Sequence, residues 1–221
     1  IDKNQKYFYA VLFVFETCLF GVFASLDVLQ LYIFWSVSIL AVFFAIGVWS
    51  KADKLFSSAL FIVIFGLASA LVFSAMFYLW AATGSFSLIS WYSSRLSVNQ
   101  QLFLFTLFAA GFAITIPLAS FHTWFPRVHS ICSTPVNIML IGLSTVSVYG
   151  FYRFTFSLFP VATSLLAPYI ATFAVVGIIV SAMLALVQTD IKKCVSYIFI
   201  SQMGLVVLGF SSINPYGTKG A

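Results

Sequence analysis

Seven long apolar stretches, at about 7–26, 28–50, 55–83, 101–120, 133–153, 165–187 and 194–212, leave this chain few ways to fold. About 20 apolar residues in a helix cross the hydrocarbon layer. Within that layer only helices or closed barrels satisfy every backbone polar group. The runs are long and lack period-2 alternation, so they predict helices. Only 7% of the residues are charged, against roughly 25% in a soluble domain, and 62% are hydrophobic. Too little polar surface remains for a cytosolic enzyme, a secreted disulfide scaffold or a nucleic-acid module. The predicted fold class is therefore an all-α polytopic membrane protein, one membrane domain over 1–221. The third run is long enough to tilt or to project beyond the bilayer. The polar stretch 84–100 is the only loop of real length, and no linker or short-period repeat divides the chain.

The net charge of +5 comes from 10 Lys+Arg against 5 Asp+Glu, and the basic residues sit singly or in pairs between the runs. They act as topology signals. Lys3, Lys6, Lys51, Lys54, Arg127, Lys192 and Lys193 fall on one side, and Arg95, Arg153 and Lys219 on the other. This bias predicts an N-terminus on the cytoplasmic or matrix-like face. Cys18, Cys132 and Cys194 have no metal-ligand or redox spacing and read as inert thiols. No signal-peptide pattern opens the chain. It begins at Ile1 and stops at Gly220-Ala221, so both ends read as cuts.

Ionisable groups inside a membrane are expensive and mark function by default. Glu16 is the one acid near the middle of a predicted helix. It reads either as a proton-relay carboxylate or as a neutral acid hydrogen-bonded to a neighbouring helix, and an ion-pair partner would have to come from another chain. Asp27 reads as an interfacial helix-end residue. Pro117 removes a helix hydrogen bond and breaks the fourth helix. Beyond it lie His122 and His129. A broken helix beside two histidines suits a proton path, while an interfacial Trp/His belt explains the same residues. Ser144, Thr145, Ser147 and Tyr149 on the fifth helix read as hydroxyls bonded across helices or to their own backbone. Ser201 and Gln202 read as interhelical contacts. Gln188 to Lys193 reads as a polar turn, with Asp190 as N-cap of the last helix.

Four segments then stand in one order: His122-Thr123-Trp124-Phe125-Pro126-Arg127-Val128-His129, Val148-Tyr149-Gly150-Phe151-Tyr152-Arg153-Phe154, Gln188-Thr189-Asp190-Ile191-Lys192-Lys193 and Ser201-Gln202-Met203-Gly204. Gly21-Val22-Phe23, Asp27 and Tyr32-Ile33-Phe34-Trp35 precede them, and Phe210-Ser211-Ser212-Ile213-Asn214 with Gly217 follows. Together they resemble the antiporter-like membrane subunits of respiratory complex I, most closely those of the subunit 4 type. The resemblance implies the family's fourth to tenth helices: a first five-helix inverted repeat over 7–154 and the start of a second over 165–221. It also implies a place in the mitochondrial inner membrane with the N-terminus on the matrix side. The implied partners are other membrane-arm subunits, a second polypeptide carrying the missing helices, and lipid, with no nucleic acid. No cofactor is expected on this chain; FMN, iron–sulfur clusters and ubiquinone belong elsewhere in the complex.

The departures from the family pattern bear on mechanism. Ser36 stands where the family has a Glu, Thr115 and Thr145 where it has lysines, and Gln202 where subunit 4 has a His. Serine and threonine neither hold positive charge nor exchange protons near neutral pH. The usual Glu–Lys relay is therefore not expected here. Water between Ser36, Thr115 and Thr145, with Glu16 or His122 as a titrating stop, is one expectation for the segment, and a scaffold keeping the arm continuous is the other. The enzyme label, NADH:ubiquinone reductase, belongs to the assembly. A subunit of a cation/proton antiporter or membrane-bound hydrogenase, and a purely structural bundle, are the competing classes.

Overall fold

The computed structural model describes residues 5–50, 53–94, 96–118 and 121–221. Lys3, Lys51 and Arg95, used above for orientation, lie outside them, as does the 119–120 end of the predicted fourth helix. The chain clusters into two compact units, Ile1–Ser94 with Ile131–Val146, and Arg95–Ser130 with Ser147–Ala221. Among the described residues, seven helices are long and apolar enough to span a membrane. Two of the boundaries between units, 130/131 and 146/147, fall inside helices, which is why no linker composition marks them.

The first unit holds α1 (Gln5–Ala24), α2 (Val28–Trp49), α3 (Lys54–Thr83), α4 (Leu88–Tyr92) and the first part of α7 (Thr134–Gly150). α1 packs on α2, and α2 on α3. α1 buries Phe8, Phe15, Cys18 and Val22, spaced along one helical face. Asp27 caps α2, its carboxylate accepting from Leu29 N at 2.9 Å and Gln30 N at 3.3 Å, so the predicted helix-end role holds. The 84–100 stretch is more structured than its polar composition suggests. Gly84, at φ +71°, ends α3 in the left-handed conformation that favours glycine. Five residues then form α4, whose buried Trp91 donates its indole N–H to Ser85 O at 2.8 Å.

The second unit holds α5 (Val98–Thr115), α6 (Trp124–Ile131), the end of α7, a π-helical turn Phe151–Phe156, α8 (Pro160–Val187), α9 (Ile191–Ser211) and α10 (Pro215–Gly220). α5 starts three residues before the predicted 101, because Ser97 and Gln100 form a reciprocal capping box. α8 starts five residues before the predicted 165, with Pro160 at its first position, where a missing N–H costs nothing. Asp190 caps α9 as expected, accepting from Lys192 N at 2.9 Å. Aromatic rings fill the interior. Phe108 lies 6.3 Å from Phe112 and 5.7 Å from Phe154, and the three rings are nearly parallel. α8 packs closely on α9 at Gly204, where a Cβ would come within 2.8 Å of Ile178. Small residues allow such approaches between membrane helices.

Candidate functional site

The break at Pro117 changes the partners of two carbonyls, those of Ala113 and Ile114. Residue 117 should donate to Ala113 O, but proline has no N–H. Leu118 N takes that acceptor instead, at 3.2 Å, and so does not pair with Ile114 O. Buried Trp124 then donates its indole N–H to Ile114 O at 3.1 Å. The freed backbone at membrane depth is thus satisfied by a side chain of the following helix. That helix, α6, is eight residues long, carries His129 and is preceded by His122.

Both histidines meet α9. The His122 ring lies 6.4 Å from that of Tyr197, and Phe125 stacks on Phe199 at 5.1 Å. His129 is 5% exposed and stacks on Phe125 at 5.6 Å, near Lys192 and Asp190. Burial holds the His122 imidazole below its ordinary value. At His129 burial also pushes the pKa down, and the Lys192 ammonium adds to this. A hydrogen bond with the Lys192 backbone and the Asp190 carboxylate push up, but burial wins. The folded protein therefore holds both rings neutral where the unfolded chain already takes up protons. Stability is fully present above the ordinary histidine value of about 6.5 and falls as pH drops below it, until the folded rings also protonate. Thermal unfolding of the solubilised protein should show this acid loss, and His129→Gln should flatten the slope.

In the first unit, Glu16 is exposed on the outer side of α1. Ser36 is half-buried and faces a cavity between α2 and α3 of about 270 Å³, lined by Tyr32, Gly66 and Ser69 among others. Tyr32 Oη lies 2.6 Å from Ser69 Oγ, whereas the buried Ser36 Oγ has no hydrogen-bond partner among the described residues. Thr145 is exposed, and its hydroxyl donates to Ile141 O at 3.0 Å. Its neighbour Ser144 is fully buried. Asn137 and Ser144, seven residues apart, lie on one buried face of α7. Asn137 was missed in the sequence, although its spacing from Ser144 was there to find.

In the second unit, Thr115 is fully buried and donates to Phe112 O at 2.9 Å. Gln202 is exposed, while Ser201 donates across to Ile178 O of α8 at 3.4 Å. Of the anticipated residues, then, the structure brings His122 beside Tyr197 and His129 beside Lys192, both of α9. Thr115 and Thr145 direct their hydroxyls to their own helices.

Three comparisons bear on this arrangement. The family model described as NADH:quinone oxidoreductase/Mrp antiporter, transmembrane, matches residues 25–221. NADH-ubiquinone oxidoreductase chain 4 of Chondrus crispus is 34% identical over 100% of this chain and 45% of its own length. A chain of respiratory complex I from Thermus thermophilus superposes with a TM-score of 0.91 at 24% identity, over 96% of this chain and 46% of that one. A chain of the Mrp complex from Dietzia sp. DQ12-45-1b gives 0.85 at 17% identity, over 94% and 40%. The chain spans about half the length of the curated relatives it matches.

Proposed function

Because this chain belongs to the transmembrane family of NADH:quinone oxidoreductase and Mrp antiporter subunits, we propose that it serves in the membrane arm of a proton-translocating NADH:ubiquinone oxidoreductase. It is a multi-pass segment of the subunit 4 type, in the mitochondrial inner membrane with its N-terminus on the matrix side. A likeness to chain 4 of a eukaryotic relative that runs through the whole of this chain and 45% of the relative carries this reading, supported by seven helices fit to span a membrane and the bias of basic residues. NADH oxidation and quinone reduction take place on other subunits. The three cysteines are free thiols, and among the described residues no three His, Cys, Asp or Glu side chains group as metal ligands.

Within the arm this segment holds the helices in place rather than relaying protons through a Glu–Lys pair. The neutral side chains Ser36, Thr115, Thr145 and Gln202 favour that part of the reading, as do the two threonine hydroxyls bonded to their own helices. Proton-to-electron stoichiometry in the assembled complex tests it. Thr115→Val with Thr145→Val, and separately His122→Ala, should leave the ratio unchanged. A lowered ratio at normal assembly would show that protons pass through this segment. The antiporter reading has the shared family model and a shared fold in its favour, whereas the relatives named chain 4 match over the whole of this chain.

A further inference from the structure

The face of α1 opposite its packing against α2 carries a second pattern. Tyr9, Phe13, Glu16, Phe20 and Phe23 follow one another at intervals of 4, 3, 4 and 3 residues. The four aromatic rings are 49–68% exposed, and Glu16 is exposed among them. This is the spacing of a helix-to-helix seam. Glu16 is the twelfth of the 20 residues of α1, about 18 Å along the helix axis from its start, and so near mid-membrane. Thr17 beside it spends its hydroxyl on Phe13 O at 2.8 Å. Glu16 makes no hydrogen bond or ion pair among the described residues. Exposed aromatics alone would suit lipid. A carboxyl at that depth does not, since acids there pair with another group or carry a large cost.

We infer that this seam docks a transmembrane helix of a neighbouring subunit, one that presents a lysine or arginine at the depth of Glu16. Charge complementarity selects the occupant: a carboxylate in low dielectric is stabilised most by a cation in contact. The flanking rings of Phe13 and Phe20 would exclude lipid and water around the pair. This inference rests on membership of a membrane assembly. It does not depend on whether that assembly oxidises NADH, which in-gel activity reports separately.

A membrane-permeant carbodiimide tests it on the intact assembly in native membranes. The reagent converts the Glu16 carboxyl to an O-acylisourea. An adjacent lysine amine displaces the urea and forms an amide cross-link. Without a neighbouring amine, the adduct rearranges to an N-acylurea on Glu16. Peptide mapping should find Glu16 joined to a lysine in an apolar segment of another subunit. An arginine partner gives no amide, so charge variants complete the test. Glu16→Lys should lower co-isolation of the neighbour roughly tenfold or more through like-charge contact, and Glu16→Gln should lower it less, with this chain still inserted in the membrane. Finding N-acylurea alone while both variants retain every neighbour would overturn the inference and leave the seam to lipid. A cross-link to a lysine within the same polypeptide would overturn it equally.

Discussion

Removing the Phe125 ring by Phe125→Ala is expected to destabilise the protein by about 3–5 kcal/mol, the usual cost of deleting a buried aromatic. The side chain is fully buried and lies 5.4 Å from Trp124, 5.1 Å from Phe199 and 5.6 Å from His129. It thus fastens α6 to α9, and α6 in turn carries the indole that satisfies Ile114 O. Its loss leaves a cavity and loosens that hydrogen bond as well. Thermal unfolding in detergent should register the change. Phe121→Ala makes the control: that ring is 46% exposed, and its removal should change stability little.

The second large effect is one of sign. Glycine to alanine in a helix interior ordinarily gains about 1 kcal/mol. At Gly66 a Cβ would meet nothing within 4 Å, and Gly66→Ala should show that gain. At Gly150 a Cβ would lie 2.6 Å from Phe112 Cε1 and 2.7 Å from Cζ. Phe112 cannot yield easily, because it is buried and packed against both Phe108 and Phe154 at 6.3 Å from each. Overpacking of this kind costs about 1–3 kcal/mol, enough to cancel or exceed the helix-propensity gain. Gly150→Val, with a larger and branched side chain, should be plainly destabilising. Parallel melting curves for Gly66→Ala, Gly150→Ala and Gly150→Val would check the order.

Much of the fold could be read from residue order alone, because long apolar runs have few alternatives to spanning helices. The ends were read less well where local chemistry outweighed hydropathy. α8 begins at Pro160, five residues before its apolar run, because proline suits the first position of a helix. The residues from Trp124 to Ile131 fit either a proton path or an interfacial belt in sequence, and they fold as a short helix that buries Trp124, Phe125 and His129. The candidate site was harder still. Sequence gives a residue's depth readily, but the side of the helix it occupies only through neighbours about 100° apart. Glu16 sits one residue from buried Phe15 and is exposed, while Thr145 is exposed one residue from buried Ser144. A one-residue shift in register is therefore enough to exchange a buried hydroxyl for an outward one. The Tyr32–Ser69 contact joins residues 37 apart and has no local signal.

The central claim is membership of the membrane arm, and native electrophoresis of gently solubilised membranes tests it most directly. The gel is stained for NADH dehydrogenase activity, and the stained band is sequenced by peptides. Peptides of this chain within the NADH-oxidising band, alongside peptides matching the half of its relatives that the chain does not span, are the predicted result. Recovery of the chain only in a separate assembly without NADH activity would contradict the account and turn attention to an antiporter or a purely structural bundle.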